Sequence, residues 1–178
     1  MIDLGTKRLE TKRLVLRKAV LDDYKKAFIN WTSDPKVSRY VTWDTHQNDE
    51  VTKEYFKYVV SRYDEPNCYN WIVCIKEIDE PIGQIDVVNI VDNSNAVIGY
   101  CFSSLYWNQG FATEAFKEVI KYLFDEVKFN KISAYHLIDN PASGKVMIKC
   151  GLKCIDQKKI ITKGIEKEAL YYEIENNK

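Results

Sequence analysis

The chain has 178 residues, enough for one domain around one core, and 46% of them are apolar. Lys plus Arg and Asp plus Glu stand at 26 each, a neutral balance that argues against a protein held to nucleic acid by phosphate contacts. The first residues, 1–14, alternate polar and apolar side chains and show no secretory leader, and no apolar run approaches the roughly 18 residues of a membrane span.

Leu14 to Arg17 reads as the first strand, and Asp22 and Asp23 offer caps for a helix ending near Trp31. A looser stretch follows from Thr32 to Thr45, and a second helix is expected from about Asp49 to Tyr63. Three strands then form an antiparallel meander: Tyr69 to Ile75, Ile82 to Val88 and Ala96 to Phe102. The turns between them are Asp79-Glu80-Pro81 and Asp92-Asn93-Ser94-Asn95. From Phe111 to Val127 the apolar period changes to 3.6, the stripe of a strong amphipathic helix. Lys131 to Leu137 is another strand. Asn140-Pro141 opens a last helix, with Gly151 as its C-terminal stop. Lys153 to Ile161 and Glu168 to Ile174 close the chain as a hairpin.

The stretch that carries chemistry is 106–115, Tyr-Trp-Asn-Gln-Gly-Phe-Ala-Thr-Glu-Ala, joining a strand to the strongest helix. Gly110 allows backbone angles closed to other residues, and Ala112 is small. The first N–H groups of a helix lack internal partners and lie at the positive end of its dipole, an arrangement that favours an anion such as a pyrophosphate. Thr113 adds a hydroxyl. There is neither a Walker A sequence nor GxGxxG. The five cysteines show no CxxC spacing and read as reduced core thiols of a cytoplasmic protein, with no metal site.

Trp107-x-x-Gly110-Phe111-Ala112-Thr113-Glu114-Ala115 resembles the acetyl-CoA loop of the GNAT N-acetyltransferases, above all the branch of the RimJ/RimL ribosomal-protein N-terminal acetyltransferases. Four further segments are similar to that branch in the same order: 10–17, 81–85, 98–100 and 140–152. The resemblance covers nearly the whole chain, residues 1–178, as a single domain. It implies an α/β (α+β) GNAT fold, a mostly antiparallel twisted sheet of about seven strands flanked by four helices. It implies acetyl-CoA as cosubstrate and direct transfer of the acetyl group to a primary amine, either a protein N-terminal α-amine or a small-molecule amine. Asn108, Gln109, Gly110, Phe111, Ala112 and Thr113 would hold the pyrophosphate, backbone near Phe102 and Ser103 would pair with pantetheine, and Asn140 and Ser143 would touch the cofactor. No nucleic acid or membrane partner is implied, and a homodimer stays open.

The sequence departs from that branch in instructive ways. Asn108 and Gln109 stand where Gly and a basic residue are common, so the loop loses a nearby positive charge. Met147 occupies the place of a frequent general-acid tyrosine; Ser143 is the candidate instead, as proton donor or as cofactor contact. Val97 stands where a carboxylate base is frequent, so Asp86 is the candidate base, ahead of His136 and Glu114. A site without an obvious base suits an α-amine, which costs about 2 kcal/mol less to deprotonate at pH 7 than a lysine side chain. Tyr40, Trp43 and His46 are candidates to line the acceptor groove, with Trp31, Tyr69 and Trp71 as further aromatics. Met147 and Val97 also motivate a rival reading, a non-catalytic acyl-CoA-binding regulatory module; a CoA-free interaction domain is a third.

Overall fold

A computed structural model describes residues 1–177. One eight-stranded sheet runs in the order β1-β2-β3-β4-β5-β6-β8-β7. The strands are β1 (Leu9–Glu10), β2 (Leu14–Arg17), β3 (Asn70–Ile75), β4 (Glu80–Val91), β5 (Asn95–Phe102), β6 (Lys131–Leu137), β7 (Lys153–Thr162) and β8 (Ile165–Glu175). The helices are α1 (Asp23–Ala27), α2 (Pro35–Ser38), α3 (Asp49–Ser61), α4 (Phe111–Asp125) and α5 (Pro141–Lys149). The mixed α/β GNAT architecture matches the expectation, with one strand and one helix added. The extra strand is the two-residue β1, too short for its alternation to show. The extra helix, α2, is a single turn opened by Asp34-Pro35, too brief for an apolar period.

Each neighbouring pair is antiparallel except β5 and β6, which run parallel. A parallel neighbour needs a long crossover, and α4 supplies it. Side chains alternate across each strand, so the sheet carries two cores. On β3, Trp71 and Val73 face the core under α4 and α5, whereas Ile72 and Cys74 face the core under α1 and α3.

α4 buries Phe111, Ala115, Phe116, Val119, Ile120 and Leu123 on the stripe read from the sequence. α1 starts differently from the expectation. Asp22 makes no cap; the buried Asp23 carboxylate instead binds Arg17 through two 2.8 Å contacts and accepts from the Val20 N–H. The aromatics split accordingly. Trp31 and Trp71 are fully buried core residues, with the Trp71 indole N–H given to the Lys7 carbonyl, so neither lines a groove.

Phe116 packs against Tyr100 of β5, ring centroids 5.4 Å apart. Phe116→Ala is expected to cost about 4 kcal/mol of stability. Urea titration checks it, with the midpoint lowered and the slope unchanged.

Candidate active site

β5 and β6 share only three register pairs, the last being Val97 with Ser133. Beyond it β5 continues to Phe102 along β4 alone. The Ser103 N–H bonds the Ile82 carbonyl at 2.8 Å, which fixes the phase of the antiparallel ladder. Residues 99, 101 and 103 turn their backbone groups to β4, and Tyr100 and Phe102 turn theirs into the gap beside β6. Those unshared N–H groups form an open strand edge.

The gap leads to the start of α4. Asn108 and Gly110 are both left-handed, at φ 60° and 81°. Gly110 is the N-cap residue, yet no side chain caps this helix. The two other helices of eight or more residues are capped, α3 by Asn48 and α5 by Asn140. The first α4 bond runs from the Glu114 N–H to the Gly110 carbonyl, so the N–H groups of Phe111, Ala112 and Thr113 point outward without a side-chain acceptor.

Arg13 on the turn before β2 stands beside this loop. Its guanidinium donates to the Gln109 carbonyl at 3.0 Å, lies 4.2 Å from the Phe111 ring centroid, and bonds the Glu114 carboxylate at 2.7 Å. It supplies the positive charge missing from Asn108 and Gln109. The Gln109 side chain folds back onto the Leu105 carbonyl. Burial opposes ionisation of Glu114, but hydrogen bonds from Thr11 and from Arg13 outweigh it and hold its carboxyl below the usual range. Glu114 is therefore a brace between the turn before β2 and α4, and is excluded as a base.

Ser103 is placed otherwise than expected. Its N–H and carbonyl are both engaged, by Ile82 and by the Tyr106 N–H, so Ser103 has no main-chain edge for a ligand. Its fully buried hydroxyl oxygen, however, has no partner. Phe102 keeps its N–H toward the gap while its carbonyl accepts from the Trp107 indole at 2.8 Å. The Asn140 side-chain oxygen caps α5 by accepting from the Ser143 N–H, so that oxygen is not spare for a cofactor.

The Ser143 hydroxyl meets the Tyr100 hydroxyl at 2.8 Å, bridging β5 and α5. The Tyr100 hydroxyl also reaches the Ser143 carbonyl, at 3.1 Å, and burial raises its pKa. Tyr100 was readable only as part of Ile98-Gly99-Tyr100; a three-residue strand signal does not say where a ring points. Met147 is buried in the core, as its place on the inner face of α5 requires. His136 is also a core residue. Its Nδ1 lies 2.8 Å from the Leu137 carbonyl and its Nε2 3.4 Å from the Tyr172 hydroxyl, so it is no base at the gap.

Asp86 lies on the opposite face of the sheet, under α3. It pairs with Gly99 on β5 and with Asn70 on β3. Residue 99 is glycine and the Val88 side chain packs over it: a Cβ there would come within 2.8 Å of Val88 and 3.6 Å of the Asp86 carboxylate. Burial pushes the Asp86 carboxyl up to about 7. A cavity of about 240 Å³ opens in front of it, lined by Tyr55, Tyr69, Asn70 and Val88 among others. Tyr69 is thus the one aromatic of the wider set that borders this space.

Tyr40, Trp43 and His46 are separate from that cavity. Trp43 and His46 touch, ring centroids 5.3 Å apart, and Tyr40 lies beneath Arg39. His46 Nδ1 meets Thr52 Oγ1 at 2.8 Å, and burial lowers the imidazole pKa. Lys163 at the hairpin tip donates to the Ser38 carbonyl at 2.7 Å and lies 3.5 Å from Asp44, tying this loop to the β7–β8 turn.

The family model for the acetyltransferase (GNAT) domain matches residues 13–153, and the chain belongs to that family. Like its family, it is an acetyl-CoA-dependent N-acetyltransferase. It is 31% identical over 141 residues to an uncharacterized N-acetyltransferase p20 of Bacillus licheniformis, covering 78% of each chain. A GNAT-family acetyltransferase from Bacillus anthracis superposes with a TM-score of 0.86 at 25% identity, over 97% of this chain and 100% of that one. RimL, a ribosomal L7/L12 alpha-N-protein acetyltransferase in complex with coenzyme A, superposes at 0.83 over 95% and 98%, with 14% identity, a likeness of fold. Among the described residues there is no group of three metal-ligating side chains and no helix long and apolar enough to cross a membrane.

Arg13→Gln is expected to weaken acetyl-CoA binding about tenfold, or roughly 1.4 kcal/mol, by removing the one guanidinium against the loop. Titration calorimetry reads it; an unchanged affinity assigns the phosphate site to backbone N–H groups alone.

Proposed function

We propose that the chain, acting as one domain in the cytoplasm, acetylates a primary amine by direct attack on acetyl-CoA, with Asp86 as general base. The observation that carries this reading is the uncapped start of α4 at the mouth of the gap between β5 and β6. The bound thioester supplies an activated acetyl carbon. The N–H groups of residues 111–113 and the Arg13 guanidinium hold the pyrophosphate. The unshared N–H of Tyr100 or Phe102 stabilises charge developing on the carbonyl oxygen; one such donor is worth about 3 kcal/mol.

Asp86 stands across Gly99 from that edge. A carboxyl with a pKa of about 7 is matched to taking a proton from an amine near neutral pH. This answers the missing carboxylate at Val97: the base comes from β4, the neighbouring strand. On the other face, the linked hydroxyls of Tyr100 and Ser143 are positioned to give a proton to the departing thiolate. Two proton-handling groups on opposite faces of the sheet, on adjacent strands, favour an enzyme over a passive acyl-CoA-binding module.

Thiol release from acetyl-CoA with a panel of amines tests the reading. Asp86→Asn is expected to lower kcat/KM about a hundredfold and to abolish the limb that rises through pH 7. Unchanged kcat/KM removes Asp86 from the mechanism. The same change bears on stability. The folded pKa is raised, so the neutral carboxyl's contribution is complete below about pH 4 and is lost as pH rises toward 7. The total is up to ~4 kcal/mol. Asp86→Asn is thus expected to be more stable than the parent at pH 8, with the difference vanishing at pH 4, read by urea midpoints. Tyr100→Phe is expected to lower kcat about tenfold with acetyl-CoA affinity kept; if kcat holds, Ser143 needs no partner.

A further inference from the structure

The cavity under α3 holds more hydrogen-bond acceptors than the protein itself satisfies. Asn70 is the cross-strand partner of Asp86, so both side chains project from the same face into that space. Asn70 is 8% exposed. Its side chain lies beside Tyr55, whose hydroxyl takes the Gln84 amide, and its amide oxygen is buried with no partner. Asn67 lines the same cavity, and its amide oxygen is likewise buried and unpartnered. A pair of orphaned acceptors in one cavity is unusual, because buried polar groups are almost always paired. The opening is bordered by Tyr58 and Arg62, and Arg62 is already held by Glu65 at 2.8 Å.

The two acceptors are neutral oxygens that can only receive hydrogen bonds. At about 240 Å³ the space is smaller than the roughly 300–1,000 Å³ typical of sites for drug-sized ligands. With Asp86 engaged by the attacking amine, Asn67 and Asn70 are left for a different group on the same molecule. We infer that this cavity seats a second N–H- or O–H-bearing group of the acceptor, making the substrate a small bifunctional amine: one nitrogen is acetylated beside Asp86 while the second group donates to Asn67 and Asn70. This rests on the acetyl-transfer reading for its first half only; the pocket's preference for a donor is a property of binding. A simple alkylamine would enter the cavity and leave both oxygens unpaired, which a site built for hydrogen bonds rejects strongly.

The probes are n-butylamine, 4-aminobutan-1-ol and butane-1,4-diamine, which share a chain length and differ in the far group. Calorimetric titration into CoA-saturated protein reads binding without turnover, and thiol release from acetyl-CoA reads transfer. The amino alcohol and the diamine are expected to bind at least tenfold more tightly than butylamine and to show kcat/KM at least tenfold higher. Asn70→Leu, similar in size and without an acceptor, is expected to bring those ratios close to one. Asn67→Ala, at a half-buried position, is expected to reduce them should Asn70→Leu fail to fold. Equal affinities for the three amines in the parent protein overturn the inference, as do ratios that survive both variants. Selective binding without any thiol release upholds the pocket and overturns the acetyl-transfer reading.

Discussion

Parallel strands cannot be joined by a tight turn, and that constraint organises this molecule. The chain must leave β5, cross one face of the sheet as α4 and return as β6. The crossover begins just past Phe102, so the end of β5 is pulled toward α4 while β6 is held by β8 along its whole length. The two strands meet for three residue pairs and then part. An open edge inside a sheet is ordinarily a liability. Here it leads to the α4 N-terminus, whose first N–H groups have no side-chain acceptor.

In the proposed mechanism the sheet also separates the two halves of the chemistry. Successive residues on a strand point to opposite faces. Tyr100 therefore lies on the α4–α5 side, and Gly99, the cross-strand partner of Asp86, presents no side chain on the α3 side. A proton donor for the leaving group and a proton acceptor for the incoming amine need different surroundings. In the proposed mechanism two neighbouring strands supply them, Tyr100 of β5 on one face of the sheet and Asp86 of β4 on the other. Asp86 is raised toward neutrality because partial burial under α3 disfavours the charged form and no hydrogen-bond partner offsets the cost. Glu114, in the first turn of α4, moves the other way because Thr11 and Arg13 bind it.

Elements longer than about one period were legible in the sequence. α4 shows its stripe over fifteen residues, and β6 runs over the residues its apolar and β-branched pattern marks. The Asn140-Pro141 start and Gly151 stop of α5 are local backbone chemistry and read directly. The loop at Gly110 was legible for the same reason, since a left-handed residue before a helix leaves a glycine behind. What stayed hidden depends on pairing between distant residues. Arg13 reaches Gln109 and Glu114 across about a hundred positions of sequence, and nothing in residues 6–14 marks one arginine out. The engagement of both Ser103 main-chain groups follows from the phase of the ladder, which no single strand reveals.

The same logic explains why the acceptor side was the hardest to place. Aromatic residues mark both cores and grooves, and composition cannot separate the two. Trp31 and Trp71 went to the cores. Tyr40, Trp43 and His46 belong to a loop fastened by Lys163 and do not line the cavity that faces Asp86. The informative residues there are polar and plain: Asn67 follows a proline in a turn, and Asn70 begins a strand. Asparagine in either place ordinarily answers to turn geometry. Only burial distinguishes these two, because an amide oxygen closed off from both water and protein donors is a cost the fold carries unless something else supplies the proton. The inferred acceptor is therefore read from unpaired oxygens rather than from aromatic rings, and the chemistry they ask for is a hydrogen-bond donor.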